Sequence, residues 1–347
     1  MSSIIDDTNI EDINLIQRDR QTPVNVSLQP NPVVQDVHPI INHLNKLDEL
    51  FTGVSDSTKL SIYEILILIS FPLILALGQV LYYSTPIEYF DNIFNSKNNF
   101  LNIVFVKNGW GFTILVYLIF IASTYIKSNN DRERQKLIKE SLIRFVIVTF
   151  CWYFYTQWFF GLPIMDKIFH VTGGYCYIIP EKNIKPAHIN KFKLMDFIID
   201  ELEGFKKGSE EDNYYFTNGI SSRVCRSMKG RMYGGHDPSG HIFLLSLSTC
   251  FLLFELGYFV TPKQFNKNLQ EFKNNFKTCL RNKEYKKLFA LFFYYPIILV
   301  IGLTYLWFYM FLVTSIYFHS FSEQMFGLVS SYISLFLTYF IFKFSLY

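Results

Sequence analysis

The sequence predicts an all-α polytopic membrane protein with six transmembrane helices and one long lumenal loop. Half of the 347 residues are apolar and only 18% are charged, against about 25% charged in a water-soluble domain. Thirty-seven Phe and twenty-three Tyr suit hydrocarbon and its aromatic interfaces better than a soluble core. Apolar runs close to the ~20 residues needed to cross a bilayer recur at 60–83, 109–126, 142–164, 239–260, 288–313 and 327–344. A net charge of +3 is too small to point to nucleic acid.

Taken in order, residues 1–58 are rich in Asp, Asn, Gln and Pro. Such a stretch cannot bury enough surface to offset its ordering entropy, and it reads as a disordered cytosolic tail. It holds no apolar run of signal-peptide type, so the run at 60–83 is expected to serve as the membrane signal. The remainder, 59–347, reads as the membrane domain. Pro72 and Pro296 fall inside spans, where neighbouring helices can satisfy the freed carbonyls.

Loop charge sets the orientation. Between spans two and three lie Lys127, Arg132, Arg134, Lys136 and Lys139, and eight Lys or Arg lie between 263 and 287. Both loops belong in the cytosol by the positive-inside rule, which leaves both termini cytosolic and the loop at 165–237 lumenal. Within that loop, 191–207 (KFKLMDFIIDELEGFKK) has apolar residues at helical spacing. This predicts an amphipathic helix, lying on the interface or packed against the bundle.

There are five cysteines and no CxxC or CxxH spacing, so no metal site is expected. Cys176 and Cys225 share the lumenal loop. In the lumen of the endoplasmic reticulum a disulfide between them is the preferred reading, with two free thiols as the alternative.

The chemistry centres on Asp237-Pro-Ser-Gly-His241. Asp237 suits an N-cap and Pro238 the first helical position. The amides of Ser239, Gly240 and His241 would then lack intrahelical partners at the positive end of the dipole. An ionisable imidazole would stand beside a phosphate-binding helix terminus. An ordinary capped helix start with an interfacial histidine reads the same pattern without chemistry. His319, in Ser315-Ile-Tyr-Phe-His-Ser-Phe-Ser-Glu323, falls on the same side of the membrane, and Glu323 could orient it. In-line phosphoryl transfer needs such a pair, a nucleophile and an acid. His170 and His236 lie near this site and His236 could line its entrance; His188, His38 and His43 carry less. Glu255 is about 24 Å beyond Ser239 at helical rise, and is expected to snorkel toward the cytosolic surface.

These residues resemble the fat-storage-inducing transmembrane (FIT) family, in layout nearest its fungal members. Four stretches carry the likeness: 96–113 (SKNNFLNIVFVKNGWGFT), Thr172-Gly-Gly-Tyr-Cys176, 236–253 (HDPSGHIFLLSLSTCFLL) and 316–327 (IYFHSFSEQMFG). The resemblance implies a six-span protein of the endoplasmic reticulum that supports lipid droplet formation. It implies an acyl-CoA diphosphatase that cleaves fatty acyl-CoA to acyl 4′-phosphopantetheine and 3′,5′-ADP without cofactor or metal. His319 would be the nucleophile and His241 the acid. The family is similar to the lipid phosphate phosphatases, but their Lys-x6-Arg-Pro motif is absent. Leu312 and Val313 stand where those enzymes have a Ser-Arg pair. Phosphate charge would therefore fall to Ser239 and Gly240 at the helix terminus, and to Arg231 or Lys107.

Two other functions fit the same residues. One is a phosphatase for phosphatidate or lysophosphatidate, against which the missing basic motif argues. The other is a non-catalytic protein that binds diacylglycerol or triacylglycerol. A transporter is weakened by the lack of an internal repeat.

Overall fold

The structure, a computed structural model, describes residues 60–85, 99–127, 131–157, 161–178, 206–207, 215–217 and 219–345. The chain divides into two units, Met1–Leu60 and Ser61–Tyr347. Apart from Leu60, the first unit and with it the expected disordered tail lie outside the described residues.

Helix α1, Ile62–Ser84, starts at a capping box in which Ser61 and Glu64 satisfy each other's backbone, and it carries Pro72 inside. A π-helical turn, Leu101–Val106, leads into α2, Gly109–Ile126. Helix α3, Arg132–Thr156, is capped by Asp131, whose side chain accepts the Glu133 and Arg134 amides. It begins ten residues before the expected run at 142–164 and stops short of that run's end. Its charged first half is helical because Arg, Glu, Lys and Gln are good helix formers. Its apolar half is rich in weaker formers such as Val, Thr and Phe, and there hydrocarbon favours the helix because it satisfies every backbone group internally.

Between α3 and the next long helix come α4, Ile164–Val171, and the short strands β1, Tyr175–Ile178, β2, Lys206–Lys207, and β3, Tyr215–Thr217. Then follow α5, Ser222–Ser227, and β4, Arg231–Tyr233. The strands form one antiparallel sheet in the order β2-β3-β1-β4. The described residues are mostly helical, as expected, and this small sheet is an addition to that expectation. The sheet corrects the end of the amphipathic helix expected at 191–207, since Lys206 and Lys207 pair with Phe216 and Tyr215; the rest of that stretch lies outside the described residues.

Helix α6, Gly240–Phe259, is followed by the amphipathic α7, Pro262–Arg281, with Thr261 and Gln264 as its capping box. Helices α8, Tyr285–Tyr294, α9, Pro296–Tyr317, and α10, Phe321–Ser345, complete the chain. The run at 288–313 was expected to be one span with Pro296 inside. Instead Pro296 opens α9, and Tyr295 before it leaves the helical region with ψ near 67°, as the proline ring demands of its predecessor.

Among the described residues, four helices are long and apolar enough to cross a membrane: α1, α2, α6 and α9. Their surroundings differ. Of the apolar window in α6, 83% is buried inside the protein, against 28% in α1, because α6 is the central helix and α1, α2, α3, α9 and α10 all pack on it. The outer helices turn large apolar side chains outward, Leu66, Leu73 and Val80 of α1 among them. A surface of that kind requires lipid rather than water as solvent.

Glu255, expected to snorkel, is fully buried on α6. Arg144 of α3 meets it with both Nε at 2.7 Å and Nη2 at 2.9 Å, and the Tyr339 hydroxyl donates to it at 2.9 Å. The guanidinium also lies 4.8 Å from the centre of the Tyr258 ring, and Tyr258 donates to Glu64. One polar cluster thus ties α1, α3, α6 and α10 together inside the bundle. An intramembrane acid with an arginine to meet it has no cause to reach for the surface.

Candidate active site

Because α6 is central, its first residues are held from several sides. Helix α10 approaches them closely at Gly327, where an added Cβ would lie 2.5 Å from the Ser239 carbonyl oxygen. Only glycine permits that approach. Tyr155 at the end of α3 stacks on Phe243 at 3.9 Å between ring centres and supports the first turn from below.

The helix does not begin where sequence predicts. Its N-cap is Ser239, whose hydroxyl accepts the Ile242 amide at 3.4 Å, and Asp237 is not the cap. The reason lies in α10: Glu323 takes the Asp237 amide on Oε1 at 3.1 Å and the Ser239 amide on its backbone oxygen at 3.1 Å. Those two bonds hold 237–239 extended and move the start of the helix to Gly240. The Ser239 amide is therefore used within the fold, and the anion-binding turn of the expectation shortens to the residues after it.

Glu323 is the junction of the site. Its Oε2 accepts from the Ser320 amide at 2.8 Å and the Ser320 hydroxyl at 2.9 Å, and lies 3.6 Å from His319 Nδ1. One carboxylate therefore touches both histidine motifs, through the backbone of Asp237 and through the ring of His319. Burial pushes the Glu323 carboxyl up, but the bonds from Ser320 and the Asp237 amide, with the nearby His319, outweigh it and leave it below its ordinary range. The His319 side chain remains 23% exposed. Of its two ring nitrogens, Nδ1 is the one turned to Glu323.

His319 has a left-handed backbone, φ 65°, uncommon for a residue other than glycine and a marker of strain held by its surroundings. The holder is Gln324, a residue that sequence reasoning passed over. It is buried, and its Nε2 reaches the carbonyls of Ser315, Phe318 and His319 at 3.1, 2.8 and 3.1 Å. Its own carbonyl accepts from Gln79 of α1 at 3.3 Å. The only signal in sequence was a glutamine inside the motif at 316–327, among other polar residues just before the last apolar run.

The other candidates divide. His236 has its ring 5.7 Å from Phe326 of α10 and its amide bonded to the Thr172 hydroxyl at 2.7 Å. His170 is set apart by its contacts, one ring nitrogen on the Gly174 carbonyl and the other on that of Ile220; it braces loops. Lys107 is exposed just before α2. Gly109, two residues on, packs against Leu244, one turn from His241 on the same face of α6, so Lys107 belongs to this end of the bundle. Arg231 lies on β4, exposed, and none of the contacts around Glu323 involves it. Cys176 and Cys225 are joined by a disulfide, packed with Ile220 in a small core of their own. Among the described residues no group of His, Cys, Asp and Glu could hold a metal ion.

The sequence profile of the fat storage-inducing transmembrane proteins matches residues 90–339. Curated relatives include the acyl-coenzyme A diphosphatase fit1 of Schizosaccharomyces pombe, 28% identical over 58% of this chain and 65% of the relative. SCS3 of Saccharomyces cerevisiae, named likewise, is 28% identical over 47% of this chain and 57% of its own length. The human acyl-coenzyme A diphosphatase FITM2 is 26% identical over 76% of each chain. The match thus spans less than two thirds of the two fungal relatives. No solved structure matches. With both histidine motifs inside the profile's reach, the chain belongs to the fat storage-inducing transmembrane protein family.

Proposed function

We propose that this protein is an acyl-CoA diphosphatase of the endoplasmic reticulum membrane, cleaving fatty acyl-CoA to acyl 4′-phosphopantetheine and 3′,5′-ADP in support of lipid droplet formation. In this reading the apolar parts of α3 and α10, helices of 25 residues each, join the four apolar helices as the fifth and sixth spans, with the first turn of α10 and its Glu323 outside the hydrocarbon. Both termini are cytosolic and the site faces the lumen. The disulfide supports that side, because disulfides persist in oxidising compartments.

The observation that carries the reading is Glu323, whose two oxygens join the motif of His241 to the ring of His319. Nε2 of His319 attacks one phosphorus of the pyrophosphate, a P–N bond forms and the P–O bond to the bridging oxygen breaks. His241 gives its proton to the departing phosphate oxygen. Water then attacks the phosphohistidine, leaving its proton on His241 and freeing His319. Glu323 holds Nδ1 and steadies the positive charge that the ring carries while phosphorylated. The first turn of α6 directs its dipole at the anion. Lys107 supplies a further cation at this end.

Purified protein with oleoyl-CoA tests the reading. Acyl 4′-phosphopantetheine is the expected product, and neither His241→Ala nor His319→Ala should form it. Absence of that product from the wild type, or undiminished turnover in both variants, sinks the proposal.

A further inference from the structure

The sheet beside the site has a face for which the reaction above gives no use. In the β1–β4 pair, Tyr175 lies opposite Tyr233, Cys176 opposite Met232, and Tyr177 opposite Arg231. Successive side chains of a strand point to opposite faces. Cys176 and Met232 turn inward onto the disulfide core, so Tyr175, Tyr177, Tyr233 and Arg231 share the outer face. The Tyr175 and Tyr233 rings lie 5.6 Å apart, tilted by 53°, and Tyr233 is 66% exposed.

Arg231 and Tyr233 are both exposed on this face, so a cation and a ring stand side by side. Arg223, Arg226 and Lys229, also exposed, lie on or just after α5, whose Val224, Cys225 and Met228 pack against the inner face. Exposed rings beside an arginine on a sheet form a platform that stacks a base and meets a phosphate.

The platform is also near the reaction. Six residues from Arg231 to Asp237 reach at most about 20 Å when extended, and the path is shorter because it folds back. Gly234 and Gly235, both at positive φ, turn the chain against Gly173 and Gly174, and the bond from His236 to Thr172 fixes the turn.

Resting on the acyl-CoA reading above, we infer that the β1–β4 face binds the adenosine 3′-phosphate end of the substrate, with Tyr233 and Tyr175 stacking the base and Arg231 meeting the 3′-phosphate. It selects for a nucleotide-bearing pyrophosphate over a lipid phosphate, the discrimination that the absent basic motif of the lipid phosphatases leaves unassigned.

The test uses the full chain, with two readouts. Titration of the wild type with 3′,5′-ADP should show binding that weakens about tenfold or more in Arg231→Gln and Tyr233→Ala, while Tyr233→Phe, which keeps the ring, binds as wild type. In turnover, Arg231→Gln should raise KM for oleoyl-CoA with kcat unchanged and lose the preference for it over the 3′-dephospho analogue. Failure of the wild type to bind 3′,5′-ADP, or unchanged binding and KM in both variants, overturns the inference even if oleoyl-CoA is cleaved. Binding that depends on Arg231 and Tyr233 in a protein that cleaves no oleoyl-CoA supports the platform and overturns the diphosphatase reading instead.

Discussion

Near one end of α6, Glu255 receives two Arg144 donors at 2.7 and 2.9 Å and the Tyr339 hydroxyl, and is fully buried. Beside the other end, Glu323 lies 3.6 Å from His319, with the two side chains 19% and 23% exposed. Both are carboxylates beside a basic group on the same bundle. The first pair is closed: its donors are spent on each other, and no reactant can enter without first breaking a bidentate ion pair. The second is open, since Glu323 faces only one ring nitrogen of its partner and both side chains stay partly exposed. Saturated pairing makes a staple, and incomplete pairing at a helix mouth leaves room for the site proposed above.

The largest effect that would test this contrast is at the open end. His319→Ala should lower turnover of oleoyl-CoA by at least about 10³-fold, the scale on which a covalent nucleophile acts, with the melting temperature nearly unchanged. A large loss of stability in place of activity would make the open pair a second staple.

At the closed end the expectation reverses. Glu255→Ala leaves Arg144 buried and uncompensated, at a cost of about 3–5 kcal/mol, read as a fall in detergent-solubilised unfolding temperature. The double replacement Arg144→Met with Glu255→Leu should recover most of that loss, because no lone charge remains. Activity per folded molecule should stay at the wild-type level in both. Lost turnover in the double variant at normal stability would instead give the cluster a part in the chemistry.

Gln324→Ala sits between the two cases. It leaves the carbonyls of Ser315, Phe318 and His319 without their common donor, which should cost about 1–3 kcal/mol. It also releases the strained backbone at His319. A fall in kcat with little change in KM should accompany the lost stability; stability loss alone would show that the left-handed turn holds without it.

What was legible in the sequence follows from the range of the interactions. His241 and His319 stood out because each lies in a local motif at the end of an apolar run, and the central helix showed as the run at 239–260. The start of α6 was misplaced by bonds from Glu323, 86 residues away from Asp237. Glu255 was misread for the same reason, since Arg144 is 111 residues distant and sits in the half-charged helix α3. The sheet was invisible because strands of two to four residues are too short to show an alternating pattern. The break at Tyr295 was within reach, because a proline constrains the residue before it wherever it falls.

The smallest expected effect separates the two carboxylates by pH. The Glu323 carboxyl lies below its ordinary value of 4.5 in the folded protein, so the unfolded chain takes up its proton first as pH falls. Its contribution to stability is therefore complete above about 4.5 and declines as pH drops toward the lower folded value. Glu323→Gln cannot titrate. The difference in melting temperature between wild type and Glu323→Gln should stay constant from neutral pH down to about 5 and narrow only below that. Had the difference instead closed already near neutral pH, a group other than this carboxylate would be what holds the junction. A constant difference across neutral pH means that the Ser320 backbone and hydroxyl donors and the Asp237 amide fix Glu323 through its carboxylate.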